Sequence, residues 1–367
     1  MVLSKFKYRL HKCWCHHSRV PTLSHLATSN LLKNQINYCH LKSLEYITTG
    51  IQADAINQLW FSGSYRRLYD FLTSGSRLRK LFNSEWYKTV PLHTINIELY
   101  EMGEGNIYNH FMEECMTEMM DKSEDSQEFT IYAPIPLNFI LYLVDGGYYC
   151  EALRVVEILN LGIEHFISKE STIHHVKRML NDIHTVALTS QLHCYNMLKD
   201  VKKGQTIYCE RQLVLSRLQN EDGSLPNIAK RKAAAFLTEC SKFCYINDEI
   251  EKSHKHVMMA LNYINDMIDE EPHPRIIIDA LRQATYTQLQ LGRRQNAKLS
   301  IEAALTLCKH ICEASAGPSM CRKCYDLSDS LLFLDCLVDY GFFLGKTDRL
   351  RESWRVMSSA YNVSISP

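Results

Sequence analysis

The sequence predicts an all-α protein, an α-solenoid of stacked helical hairpins, on three observations. Apolar residues recur at steps of three and four along most of the chain, the spacing of one helix face. The helical stretches come in pairs joined by short turns, several marked by glycine. With Gly 14 and Pro 9 in 367 residues, the chain holds too few turn residues for a β-rich architecture.

Composition narrows the function classes. Hydrophobic residues make up 46% of the chain, enough to bury one large core or several repeat interfaces. Lys+Arg 41 balances Asp+Glu 41, which argues against a nucleic-acid surface spread over the whole molecule. The amino terminus has no apolar run suited to a signal peptide, so the 14 cysteines are expected as reduced thiols of the cytosol or nucleus. No apolar run is long enough to predict a transmembrane segment.

The chain begins with Lys5, Lys7, Arg9, Lys12, Arg19, Lys33 and Lys42 and carries no acid before Glu45. Residues 1–21 are expected to form a basic, disordered extension, with a weak transit peptide and a basic arm for an acidic surface as the alternative readings. Cys13, Cys15, His16 and His17 lie within it without a second ligand pair nearby, so they predict no metal site. After Pro21 a helix is expected, capped by Thr22 or Ser24, with Leu23, Ala27 and Leu31 forming a strip suited to a hydrophobic groove. Short helices follow at Ile51 to Phe61 and Tyr65 to Leu72, broken by Ser62-Gly63-Ser64 and Ser74-Gly75-Ser76. Helical patterning continues from Arg77 to Met120 through Leu81, Trp86, Leu99, Tyr100, Phe111 and Met112, without defined turns. The polar run Asp121 to Glu128 marks a surface loop or domain border.

A hairpin is then expected with Leu137, Ile140, Leu141 and Val144 before Gly146-Gly147, and Ala152, Val155, Val156 and Leu159 after. Helices near Ile173 to Leu198 and Thr206 to Leu218 lead to the loop Asn220 to Asn227. Ala229 to Tyr245 and Glu249 to Ile268 form the next pair, with Ala233, Ala234 and Ala235 at its close-contact end. The clearest pair runs from Pro274 to Ile311. Ile277, Leu281, Ala284, Gln288 and Leu291 precede a C-cap at Gly292, and Ala297, Ile301, Ala304, Cys308 and Ile311 follow, with Ala303 also expected at the close approach. Gly292, then Ala297, then Ala303 and Leu307 approximates the tetratricopeptide order of about 34 residues per pair. Ser328 to Leu344 and Leu350 to Asn362 make a last pair, expected to turn at Gly345.

Chemistry is sparse. Cys321 and Cys324, with Cys308, His310 and Cys312 upstream, form a CxxC knuckle that could hold zinc, but Cys308 lies on an apolar stripe and reads as a small hydrophobe. Reduced thiols without metal are the expectation. His174-His175 and His254 with His256 lack the spacing of a metalloprotease helix. The chain has no phosphate-binding glycine loop and no nucleophile elbow. A non-enzymatic binding scaffold without cofactor is therefore expected.

Two stretches carry a family resemblance. Ile278-Asp279-Ala280-Leu281-Arg282-Gln283-Ala284 and Asp335-Cys336-Leu337-Val338-Asp339-Tyr340-Gly341-Phe342-Phe343 resemble helices of the amyloid protein-binding protein 2 family, in the same order and at similar separation. Gly146-Gly147-Tyr148-Tyr149 with Glu151-Ala152, and Asn247-Asp248-Glu249, look like two of its turns. The resemblance implies kinesin-light-chain-like tetratricopeptide repeats in a non-enzymatic adaptor. It implies a substrate receptor of a cullin-2 ubiquitin ligase reached through elongins B and C, binding protein tails or degrons. The alternative it implies is a microtubule-associated trafficking adaptor for cytoplasmic tails such as that of the amyloid precursor. Either role implies a cytoplasmic protein, or one also nuclear or microtubule-associated.

In that family an elongin-binding box stands where Thr22, Leu23, Ala27 and Leu31 stand here. The implied organisation is an elongin/cullin-box-like helical region over 22–76, a helical linker over 77–128 and tetratricopeptide-like repeats over 129–367. Two departures bear on partners. Ser43-Leu44 is followed by Glu45 where the family's cullin-selecting segment has proline, and family members continue with further repeats past the position of Pro367.

Overall fold

A computed structural model of the chain describes residues 49–74, 76–84, 87, 90–122, 125–169, 173–220, 223–267, 274–315 and 327–365. Among them every regular element is an α-helix apart from a single 3-10 position, and they form an α-solenoid of tetratricopeptide-like hairpins. None of these helices is long and apolar enough to cross a membrane. The chain divides into two compact units with the border at Val176/Lys177.

The first unit holds α1 (Thr49–Phe61), α2 (Tyr65–Thr73), α3 (Arg77–Phe82), α4 (Leu92–Glu101), α5 (Ile107–Asp121), α6 (Ser126–Tyr132), α7 (Pro134–Asp145) and α8 (Tyr149–Ser168). The region without legible turns thus resolves into α3, α4 and α5. Asn106 caps α5 by accepting from the Tyr108 and Asn109 amides. Within Asp121 to Glu128, Asp125 caps α6, so the last three residues of that run already belong to a helix. The core is aromatic: Phe82 stacks on Phe111 and meets Phe139 edge-on. Arg77 is buried with its guanidinium 4.2 Å above the Phe71 ring, donating 2.7 Å to the Phe71 carbonyl.

The second unit holds most of α9 (His174–Leu198), then α10 (Val201–Cys209), α11 (Arg211–Arg217), α12 (Asn227–Ile246), α13 (Ile250–Asn265), α14 (Pro274–Gln290), α15 (Arg294–Ser315), α16 (Leu327–Lys346) and α17 (Leu350–Ile365). The helix expected from Thr206 starts earlier, behind an Asp200 cap, and breaks after Cys209. At the break Arg211 lies over the Tyr208 ring and donates 2.9 Å to the Tyr208 carbonyl, which closes the end of α10.

One turn recurs between paired helices. A residue with positive φ (Gly147, Lys199, Asp248, Gly292, Asp348) is followed by an amide that bonds to the carbonyl five residues back: Tyr148 to Leu143, Asp200 to Tyr195, Glu249 to Cys244, Arg293 to Gln288, Arg349 to Leu344. This is the six-to-one bond of a left-handed helix C-cap. The last pair therefore turns at Asp348, with φ 62, and not at Gly345, which remains inside α16.

Burial follows the expected stripe on α8 and α15, where Ala152, Val155, Val156 and Leu159, and Ala297, Ile301, Ala304 and Cys308, are all inside. It differs on the first helices. On α7 the buried face is Ile135, Phe139, Ile140 and Leu143, one residue round from the expected set. On α14 the expected Ala284 and Gln288 are inside, but Ile277 and Leu281, and Leu291 just past its end, are half-buried, while Ile278, Ala280, Thr285 and Thr287 are inside as well. A first helix is covered by its own partner and by adjoining hairpins, so small and hydroxylated residues fill sides that a one-stripe pattern misses. Ala303 is exposed, and the close approach is made by Ala297 and Ala304.

Candidate protein-binding face

Within the second unit the first helices touch in series, α12 against α14 and α14 against α16. Their shared face carries a row of charges that starts on α9. The Asn196 amide donates to the Glu239 carbonyl and to Glu239 Oε2, both at 3.1 Å. His193 Nδ1 lies 3.2 Å from Glu239 Oε1, and Lys242 Nζ lies 2.7 Å from the same oxygen. One hairpin on, Arg282 Nε donates 2.5 Å to Asp339 Oδ2, and its Nη1 sits 3.6 Å from both Asp279 and Asp335. The Tyr286 hydroxyl donates to the other Asp339 oxygen.

Beside the charges runs an aromatic row. Tyr245 and Tyr286 have ring centroids 6.0 Å apart, and Tyr286 and Phe342 5.7 Å. Lys346 Nζ stands 5.5 Å from the Phe342 centroid. Aromatic faces beside fixed charges give a side chain both an apolar bed and an orienting partner.

Electrostatics divides this face into anchors and exposed groups. Burial pushes the Glu239 carboxyl up, but Lys242 and His193 outweigh it and hold the group below the usual carboxylate range. Burial acts to lower Lys242, and Glu239 with Asp279 reverses this and raises it. Arg282 is likewise raised, burial opposing and Asp339 prevailing, while burial and then Asp339 raise the Tyr286 phenol. The side chains of Glu239 and Asp339 are only 9% and 6% exposed, whereas Asp279 and Asp335 are 42% and 61% exposed. The former hold the helices; the latter present carboxylates to solvent.

Among the described residues, several other titratable groups are engaged in packing. In the first unit His93 stacks on Tyr142 with centroids 4.1 Å apart. Its Nδ1 lies 2.6 Å from the Tyr108 hydroxyl and its Nε2 3.0 Å from the Tyr142 carbonyl, so both ring nitrogens are engaged. His254 binds Arg293 and Thr287, and His256 binds Tyr208, so the two do not converge. His174 and His175 are exposed. Cys308 Sγ is buried 3.3 Å from Cys336 Sγ at the junction of α15 and α16, a core position. Among the described residues no group of three or more His, Cys, Asp or Glu could hold a metal ion.

Thr22, Leu23, Ala27, Leu31, Glu45, Cys321 and Cys324 lie outside the described residues. The charge row went unread in the sequence, because partners such as Arg282 and Asp339 meet only when two hairpins stack. One signal was present. Arg282 and Asp339 belong to the two stretches that carry the family resemblance, and the structure sets those stretches side by side on α14 and α16.

These features define a class: a helical-hairpin repeat protein with a charged and aromatic face along its first helices. No protein-family model matches the chain, and no curated protein shows significant sequence similarity to it.

Proposed function

We propose that the chain is a non-enzymatic adaptor that holds a segment of another protein, a tail or degron, along the first-helix face of α12, α14 and α16. The observation that carries this reading is the pairing of the aromatic row Tyr245, Tyr286 and Phe342 with the exposed carboxylates of Asp279 and Asp335. Stacked hairpins commonly use such extended faces for peptide. The strip Thr22, Leu23, Ala27 and Leu31 is proposed to recruit elongins B and C, and through them cullin-2, making the bound protein a ubiquitination substrate. The support for this second part is the resemblance of that strip to an elongin-binding box.

Co-purification tests the ligase role. Elongins B and C are expected with the intact chain and lost with Leu23→Asp, since a buried leucine anchor tolerates no charge. An intact chain that retains no elongin contradicts the role.

A further inference from the structure

The junction of α15 and α16 holds two thiols that packing alone does not require. Cys308 and Cys336 are 1% and 0% exposed, and their Sγ atoms face each other at 3.3 Å across helices of neighbouring hairpins. α14 closes the site from a third side: Ile278 belongs to the same buried cluster as Ala304, Cys308 and Cys336, with Leu281, Leu305 and Leu332 packed around it. A small apolar residue on either helix would fill this space equally well. Two sulfurs in contact can in addition be joined. Shortening their separation to disulfide length takes about 1.3 Å, within reach of side-chain rotation on two adjacent helices.

The charged face lies next to the pair. Asp335 precedes Cys336 in the chain and Asp339 follows it by about one turn, and the charges of Arg282 and Asp339 both act on the Cys336 thiol. The placement of α16 at Cys336 therefore sets how Asp335 and Asp339 meet Arg282. With the thiols reduced, packing and the Arg282 to Asp339 pair hold it there. We propose that Cys308 and Cys336 form a redox latch, a disulfide made by peroxide and undone by a thiol reductant, which ties α15 to α16 and stiffens the junction beside this face.

The chemistry balances within the pair. One thiol takes an oxygen from hydrogen peroxide, giving a sulfenic acid and one water. The second sulfur attacks that sulfenic sulfur, the S–S bond forms, and the hydroxyl leaves with the second thiol proton as another water. The two sulfurs lose two electrons and the peroxide gains them. The hydrogen bond with Cys308, and then burial, raise the Cys336 thiol above the ordinary range, so thiolate is scarce while the junction is closed. Oxidation is therefore gated by local opening of α16 from α15, slow in buffer and faster in urea below the unfolding transition.

The test treats the intact chain with hydrogen peroxide, blocks the remaining thiols after unfolding, and maps the digest by mass spectrometry, with thermal unfolding followed in parallel. A Cys308 to Cys336 linked peptide is expected, and dithiothreitol should abolish it. The bond joins residues 28 apart in sequence, so the linked chain should unfold at least about 3 °C higher. Cys336→Ala keeps the site apolar and should unfold at one temperature with or without peroxide; Cys308→Ala serves equally, and the mapping of the unaltered chain needs neither variant. Both cysteines left as free thiols, sulfinic acids in place of the bond, linkage of either to another cysteine, or a rise in unfolding temperature that survives Cys336→Ala would overturn the proposal. No binding partner enters these readouts, so the latch and the proposed function stand or fall separately.

Discussion

Arg282 joins two hairpins through one buried partner and two exposed ones. Asp339 sits inside and receives both the guanidinium and the Tyr286 hydroxyl, so removing it strands two donors in a partly desolvated place. Asp339→Ala is expected to cost about 3–5 kcal/mol in chemical denaturation, the range for breaking a buried pair. Asp335→Ala removes a 61% exposed carboxylate 3.6 Å from the same arginine and is expected to change stability by under about 0.5 kcal/mol. At this scale the sequence was only partly legible. The place of Cys308 on a buried stripe could be read from periodicity alone. The Glu239 and Arg282 networks could not, because their partners lie on other helices and no local pattern links them.

At the scale of elements, the repeated turn explains which glycines matter. Gly292 holds φ +72, where a Cβ is strained but meets no neighbour, so Gly292→Ala should cost about 1–2 kcal/mol. Asp348 occupies the same backbone position with φ 62, and Asp348→Gly should be neutral or stabilising by up to about 1 kcal/mol. Opposite signs in paired denaturation curves check the shared register. Gly146 answers to a different constraint. A Cβ there would lie 2.1 Å from the His93 ring, so Gly146→Ala must displace the stack on Tyr142 and should cost about 1–3 kcal/mol. Glycine in a turn is conspicuous in a sequence, whereas Lys199, Asp248 and Asp348 in the same conformation look like ordinary loop residues. That is why the last turn was expected at Gly345.

For the whole molecule, pH offers a global readout. Burial, then Arg217, pushes His184 down to about 4, and burial, then Arg211, does the same for His256. Unfolded histidine titrates near about 6.5, so as pH falls below that value the unfolded chain takes up protons that the native chain refuses. Stability is therefore expected to fall between about pH 6.5 and 4, by at most about 1.4 kcal/mol per unit for each group. Glu239, held below the ordinary range, adds a further loss once the pH drops under about 4.3. Denaturation midpoints across this range check both. Fold class was the most legible property at this scale, because helical periodicity and paired turns are local and repeat along the chain. The face was not, since it exists only where first helices of separate hairpins meet.

The central claim is that this face holds a segment of another protein. Its most direct test is binding of synthetic cytoplasmic-tail peptides, that of the amyloid precursor among them, to the intact chain and to Asp279→Lys with Asp335→Lys. A tail is expected to bind the intact chain and to lose at least about tenfold in affinity to the double variant, about 1.4 kcal/mol, with its unfolding midpoint unchanged. Tails that bind both proteins equally, or neither, would contradict the claim.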